Sequence, residues 1–267
     1  MALLASGGAG GGSFAYGSLI EKRSLDFNRV DVPLQKEHAH LHGLKIALMA
    51  DFHHDDFGDD NLIRRAVKQI NDEHVDIVML AGDYITDDIQ GINPLCEVLR
   101  DLRPRLGVFA VLGNHDVWHY NQSLVKLMEK AGVRLLVNRG VDFDGFSVAG
   151  YDSVWAGRPD AGKTLKTISK ENPVILGWHE PDTFATYNDP RIALQLSGHT
   201  HGGQVCAPLI GPLLLPEYGR KFPAGLYHRE GRSLYVTRGI GTMNIPIRFL
   251  CPPEVAVLTM TDITRST

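Results

Sequence analysis

The chain has 267 residues, 43% of them apolar, and a formal net charge of −4. That length supports one sizeable core without demanding two domains, and the charge leaves no broad basic footprint of the kind a constitutive nucleic-acid binder carries. Cys96, Cys206 and Cys251 are odd in number, far apart and without a C-x-x-C pair; they point to neither a disulfide framework nor a zinc knuckle and are expected to be small core residues.

The first twenty residues, MALLASGGAGGGSFAYGSLI, carry no charge and six glycines. They lack a basic n-region and an unbroken apolar run of about 18 residues, so a membrane-spanning helix is not expected there. The stretch reads as a flexible leader or as the end of a trimmed export or membrane-anchor segment. We place this leader and the approach to the domain at 1–40 and the domain itself at 41–267. The alternating HAHLH of 38–42 predicts an exposed strand edge. Short apolar runs at 44–50, 75–82, 106–113, 173–177, 192–198 and 233–239 then predict buried strands. Helical patterns at 61–74, 92–102 and 122–132 separate several of them, the last stopping at Gly132. Strand-helix-strand order predicts an α/β fold, and the Gly-, Pro- and strand-rich stretch from Gly202 to Met260 predicts a second sheet. Within it, CAPLIGPLLLP (206–216) is expected to belong to the sheet core or to a packed connection, with an apolar wall for a lipid-linked substrate as the functional alternative.

Most of the predicted strands end in polar clusters: Asp51-Phe52-His53, Gly82-Asp83, Gly113-Asn114-His115-Asp116, Trp178-His179-Glu180 and His199-Thr200-His201. Ligands of open α/β sheets bind outside the carboxyl ends of the strands, so five such clusters converge on one crevice. A turn or a helix cap accounts for any one of them, but not easily for all five in the same relative position. If strand geometry persisted through Thr200, His199 and His201 would point to the same side. Carboxylates, imidazoles and an amide, with no cysteine among them, suit Mn, Fe or Zn better than an all-sulfur zinc site or an all-oxygen calcium cage. There are too many ligands for one ion, and two ions about 3.5–4 Å apart can clamp both oxygens of a displacement at phosphorus.

The ordered blocks D-F-H, G-D, G-N-H-D, H-E-P and G-H-T-H resemble the signature of the calcineurin-like metallophosphoesterases. GGQV, YVTRGIGT and PIRFLCPPE further resemble the bacterial, membrane-associated YkuE/YaeI-like phosphodiesterase subgroup. The resemblance implies a four-layer α-β-β-α sandwich of two mixed sheets packed face to face and flanked by helices. It implies a first metal held by Asp51, His53, Asp83 and His201, with Asp83 bridging to a second held also by Asn114, His179 and His199. It makes His115 the catalytic histidine and Asp116 the acid that orients it, with a metal-bridging hydroxide as the in-line nucleophile. His54 stands where the family more often has an aliphatic residue and is expected at the rim rather than as a ligand.

The expected function is a dinuclear phosphoester hydrolase, a phosphodiesterase using two divalent ions, foremost Mn2+. The alternatives are pyrophosphate hydrolysis of a nucleotide-linked lipid such as UDP-2,3-diacylglucosamine and, from another class, a non-catalytic metal-binding interaction module. Small-molecule or lipid-linked phosphoesters are the expected substrates, nucleic acid is not, and peripheral membrane contact is expected at a membrane-associated location, with a soluble cytoplasmic one as alternative.

Overall fold

The computed structural model describes residues 14–120 and 122–262. Among these, two six-stranded mixed sheets and a short hairpin form. The first sheet has the order β1 (Asp26–Leu34), β14 (Glu254–Asp262), β2 (Lys45–Met49), β3 (Ile77–Leu80), β4 (Gly107–Ala110) and β5 (Val133–Leu135). Only β14 and β2 pair antiparallel within it. The second has the order β12 (Gly225–Arg229), β13 (Arg232–Val236), β9 (Ile192–Ser197), β8 (Val174–Gly177), β7 (Phe146–Gly150) and β6 (Arg139–Phe143). Its two outer pairs are antiparallel and its inner pairs parallel.

The inner strands are buried on both faces, and their successive side chains alternate between the two. In β2, Ile46 and Leu48 join Met79, Ile175, Leu194 and Leu196 in the core between the sheets. Ala47 and Met49 face the other way, against the helices. The helix Asp60–Asp72 starts where the Asp59 carboxylate accepts from Asn61 and Leu62 N–H, and it lays Leu62, Ile63, Ala66, Val67 and Ile70 on the sheet. Helices Ile92–Leu99 and Gln122–Lys130 cover the same face with Leu95, Val98, Leu124 and Met128. Ile168 and Trp178 cover the far face of the second sheet. The four-layer expectation holds, and with it the six predicted buried strands and the three predicted helices.

Three expectations are corrected. The sheet begins before residue 41: β1 pairs along its whole length with β14, so the domain takes in part of the expected approach. HAHLH is no strand edge; Lys36–Leu41 is a 3-10 helix that buries Leu41. The run 206–216 is not core: it forms the hairpin β10 (Cys206–Ala207) and β11 (Gly211–Pro212), with Leu209, Ile210, Leu213 and Leu214 exposed. No described helix is long and apolar enough to cross a membrane. The expectation of a trimmed anchor rests largely on residues 1–13, which lie outside the described residues.

Candidate metal centre

The carboxyl ends of β2, β3, β4, β8 and β9 lead directly into the five polar clusters, and the structure brings these together. Asp51, His53 and His201 form one triad of side chains whose ligand atoms lie within 4.8 Å of one another; Asp83, His179 and His199 form a second. Asp83 sits between them, its Oδ2 3.1 Å from His179 Nε2 and 3.6 Å from His53 Nε2. Within the triads, imidazole nitrogens face each other: His53 Nε2 and His201 Nε2 at 3.1 Å, His179 Nε2 and His199 Nδ1 at 3.2 Å. Three of the four outer nitrogens are engaged elsewhere, and His201 Nδ1 is buried without a partner among the described residues. His179 Nδ1 bonds Ala81 O at 2.6 Å, His199 Nε2 bonds Glu217 O at 2.7 Å, and His53 Nδ1 lies 3.1 Å from Thr86 Oγ1. Donation to these carbonyls places a proton on His179 Nδ1 and on His199 Nε2, so the inner nitrogen of each ring faces the centre.

Asp51 Oδ2 and Asn114 Oδ1 are buried without a hydrogen-bond partner among the described residues. Burial pushes His53 to about 4 and His199 to about 3, and holds His201 well below its ordinary value, so these rings are neutral at pH 7. Burial likewise opposes charge on Asp83 and His179, but their contact outweighs it, holding the Asp83 carboxyl low and a proton on His179. A cation takes the place of such a proton. Facing lone pairs, unpartnered oxygens and neutral imidazoles fit a positively charged guest. The backbone is strained to achieve this. Asp51, His53, Asp83, His199 and His201 all adopt positive φ, between 42° and 76°, a conformation costing about 1–3 kcal/mol for each non-glycine residue and found where a site over-determines it. Strand geometry therefore does not persist through Thr200, and His199 and His201 enter different triads. The chain approaches closely at Gly113, where any Cβ would collide with the Asp83 carboxylate.

Residues 44–203 match the family described as calcineurin-like phosphoesterase. The chain is 31% identical to the uncharacterized metallophosphoesterase YkuE of Bacillus subtilis, over 97% of this chain and 93% of that protein. The chain belongs to the calcineurin-like phosphoesterase family. Other relatives of this calcineurin-like phosphoesterase are phosphodiesterase YaeI of Escherichia coli (31% identity, 80% and 81% of the two chains) and UDP-2,3-diacylglucosamine pyrophosphatase LpxG of Chlamydia muridarum (26%, 92% of each). The fold is shared with the 5'-nucleotidase precursor of Thermus thermophilus at a TM-score of 0.51 and 13% identity, over 82% of this chain and 54% of that one. The chain is accordingly a metal-dependent phosphoric ester hydrolase, and its two triads suit a dinuclear divalent centre.

In this calcineurin-like phosphoesterase His115 lies half-buried at the mouth, its ring edge against His53 at a centroid distance of 5.0 Å. The acceptor on its Nδ1 is Thr86 O, at 2.8 Å, and not Asp116. Asp116 is fully buried and accepts from the backbone N–H groups of Gly113 (2.8 Å), Asp83 (2.7 Å) and Tyr84 (2.9 Å), which corrects the orienting role expected of it. His54 stands outside both triads, bonded to Asp60 at 2.6 Å. Sequence reasoning missed Thr86, which touches both His53 and His115, and Arg248. The Arg248 guanidinium is buried and donates to the carbonyls of Arg238, Gly239, Gly241 and Cys251 at 2.6–3.1 Å. It thereby holds Gly241, whose N–H donates to Asp51 O at 2.8 Å. An arginine inside the apolar stretch PIRFL was the available signal.

Proposed function

We propose that the enzyme is a phosphodiesterase whose seven converging side chains hold two divalent ions, Asp51, His53, Asp83 and His201 around one and Asp83, Asn114, His179 and His199 around the other. The carboxylate of Asp83 between two sets of inward-facing imidazoles carries this reading. Mn2+ suits the mixed nitrogen and oxygen donors, with Fe and Zn as the competing identities. When bound, such ions polarise the phosphoryl oxygens and acidify water. The protein's own part is positional. Thr86 O accepts from His115 Nδ1, so a proton taken up by His115 sits on Nε2, ready for the leaving oxygen. Chelation is expected to abolish hydrolysis of a phosphodiester and added Mn2+ to restore it; turnover unchanged in metal-free protein refutes the reading.

A second reading, hydrolysis of a nucleotide-linked lipid at a membrane surface, is favoured by the hairpin. Leu209 and Leu214 are 108% and 83% exposed, and the segment continues to Glu217, whose carbonyl holds His199. Burying one such side chain contributes about 1.5–3 kcal/mol. Leu214→Ser is expected to weaken liposome binding about ten-fold or more at an unchanged melting temperature. A parent protein that leaves liposomes unbound overturns the membrane contact.

A further inference from the structure

Two tryptophans stand exposed at the rim of the metal centre. Trp118 is 49% and Trp155 38% exposed, and their rings meet at 5.2 Å between centroids and 73° between planes. Trp118 packs on the His115 ring at 5.1 Å and Trp155 on the His199 ring at 5.5 Å, with Tyr218 beyond Trp155 at 6.4 Å. The aromatic row thus spans the mouth from the candidate proton donor to a candidate metal ligand.

Both indoles are built on backbone that the site itself fixes. Trp118 lies three residues after His115 on the helix Asn114–Trp118, on the same side of that helix. Trp155 belongs to a turn held by the buried carboxylate of Glu180, the neighbour of His179. That carboxylate bonds the Ser153 hydroxyl and accepts from Val154 N–H at 3.1 Å and Trp155 N–H at 3.4 Å. A buried charge engaged in holding a turn whose tryptophan remains exposed makes sense if the indole faces a ligand. Nearly perpendicular rings form a corner in which a planar ring stacks on one indole and presents its edge to the other.

We propose that Trp118 and Trp155 bind the nucleobase of a nucleotide-containing phosphoester, fixing the substrate's organic group while its phosphate lies at the metal centre. This rests on the dinuclear reading above and names the substrate class of that site. Base–aromatic stacking is sequence-tolerant and strong enough to tighten binding about ten-fold or more.

Calorimetric titration of the Mn2+-loaded protein with inorganic phosphate, ribose 5-phosphate and UMP tests the proposal, since the last two share the sugar phosphate and differ at C1′, where UMP carries the base in place of a hydroxyl. UMP is expected to bind about ten-fold or more tightly than ribose 5-phosphate. Trp118→Ala and Trp155→Ala are each expected to remove most of that advantage while leaving the ribose 5-phosphate affinity unchanged, and Trp118→Phe and Trp155→Phe to retain it. Equal affinities for the two esters in the parent protein overturn the stacking corner alone. Failure of all three ligands, phosphate included, overturns the metal-centre reading with it. Alanine variants that lose liposome binding but keep the UMP preference make the corner a membrane anchor and likewise overturn the proposal.

Discussion

His115→Ala is expected to lower kcat by about 10²–10⁴-fold, the range of a positioned general acid, with both ions still bound. The His115 ring contacts His53 and Trp118 and bonds Thr86 O, and it belongs to neither triad. Its backbone N–H, which donates to Asp83 Oδ1 at 3.1 Å, survives the substitution. The two candidate metal sites therefore keep every side chain and the hydrogen bond that steadies Asp83. Steady-state kinetics with elemental analysis of the same preparation measures both quantities. Loss of an ion from the variant, or an unchanged kcat, overturns the assignment. A diester with a highly acidic leaving group needs little protonation and is expected to lose less than one with an alkyl leaving group; equal losses argue against proton donation by His115.

The residues that form the two triads were legible because their chemistry resides in side chains that follow apolar strands. Asp51, Asp83, His179 and His199 each come within a few residues of a buried strand end. The groups that orient them were not legible. Ala81 O, Glu217 O and Thr86 O are backbone carbonyls, present at every position, and only the fold selects which of them meets a histidine. The family resemblance made Asp116 the partner of His115, its neighbour in the G-N-H-D block. Both lie on the helix Asn114–Trp118, where neighbouring side chains point in different directions and only residues three or four apart face each other. The same rule joins His115 to Trp118, a pairing that the motif blocks do not display. Strand β1 was hidden for another reason. It is an edge strand paired only with β14, half-buried over most of its length and containing Pro33, so its sequence DFNRVDVPL lacks the continuous apolar run of the central strands. The run 206–216 deceived in the opposite sense, since apolar composition predicts burial and Leu209, Leu213 and Leu214 are exposed.

Asp116→Asn is expected to destabilise the protein by about 1–3 kcal/mol, and Asp116→Ala by more. Asp116 Oδ2 accepts from Gly113 and Asp83 N–H, and Oδ1 from Tyr84 N–H. An amide placed to keep its oxygen at the first pair turns its NH2 group toward Tyr84 N–H, donor against donor, whereas alanine leaves all three buried N–H groups unpartnered. These bonds join the turn after β3, which carries Asp83, to the turn after β4, which carries Asn114 and His115. Loosening them is therefore expected to weaken metal affinity together with stability, because the two candidate sites share Asp83. Urea denaturation gives the stability, and metal titration of the folded variant gives the affinity. Were Asp116 to orient His115 instead, the asparagine variant would keep its urea midpoint and its metal affinity and lose kcat alone, and that result would reinstate the catalytic role.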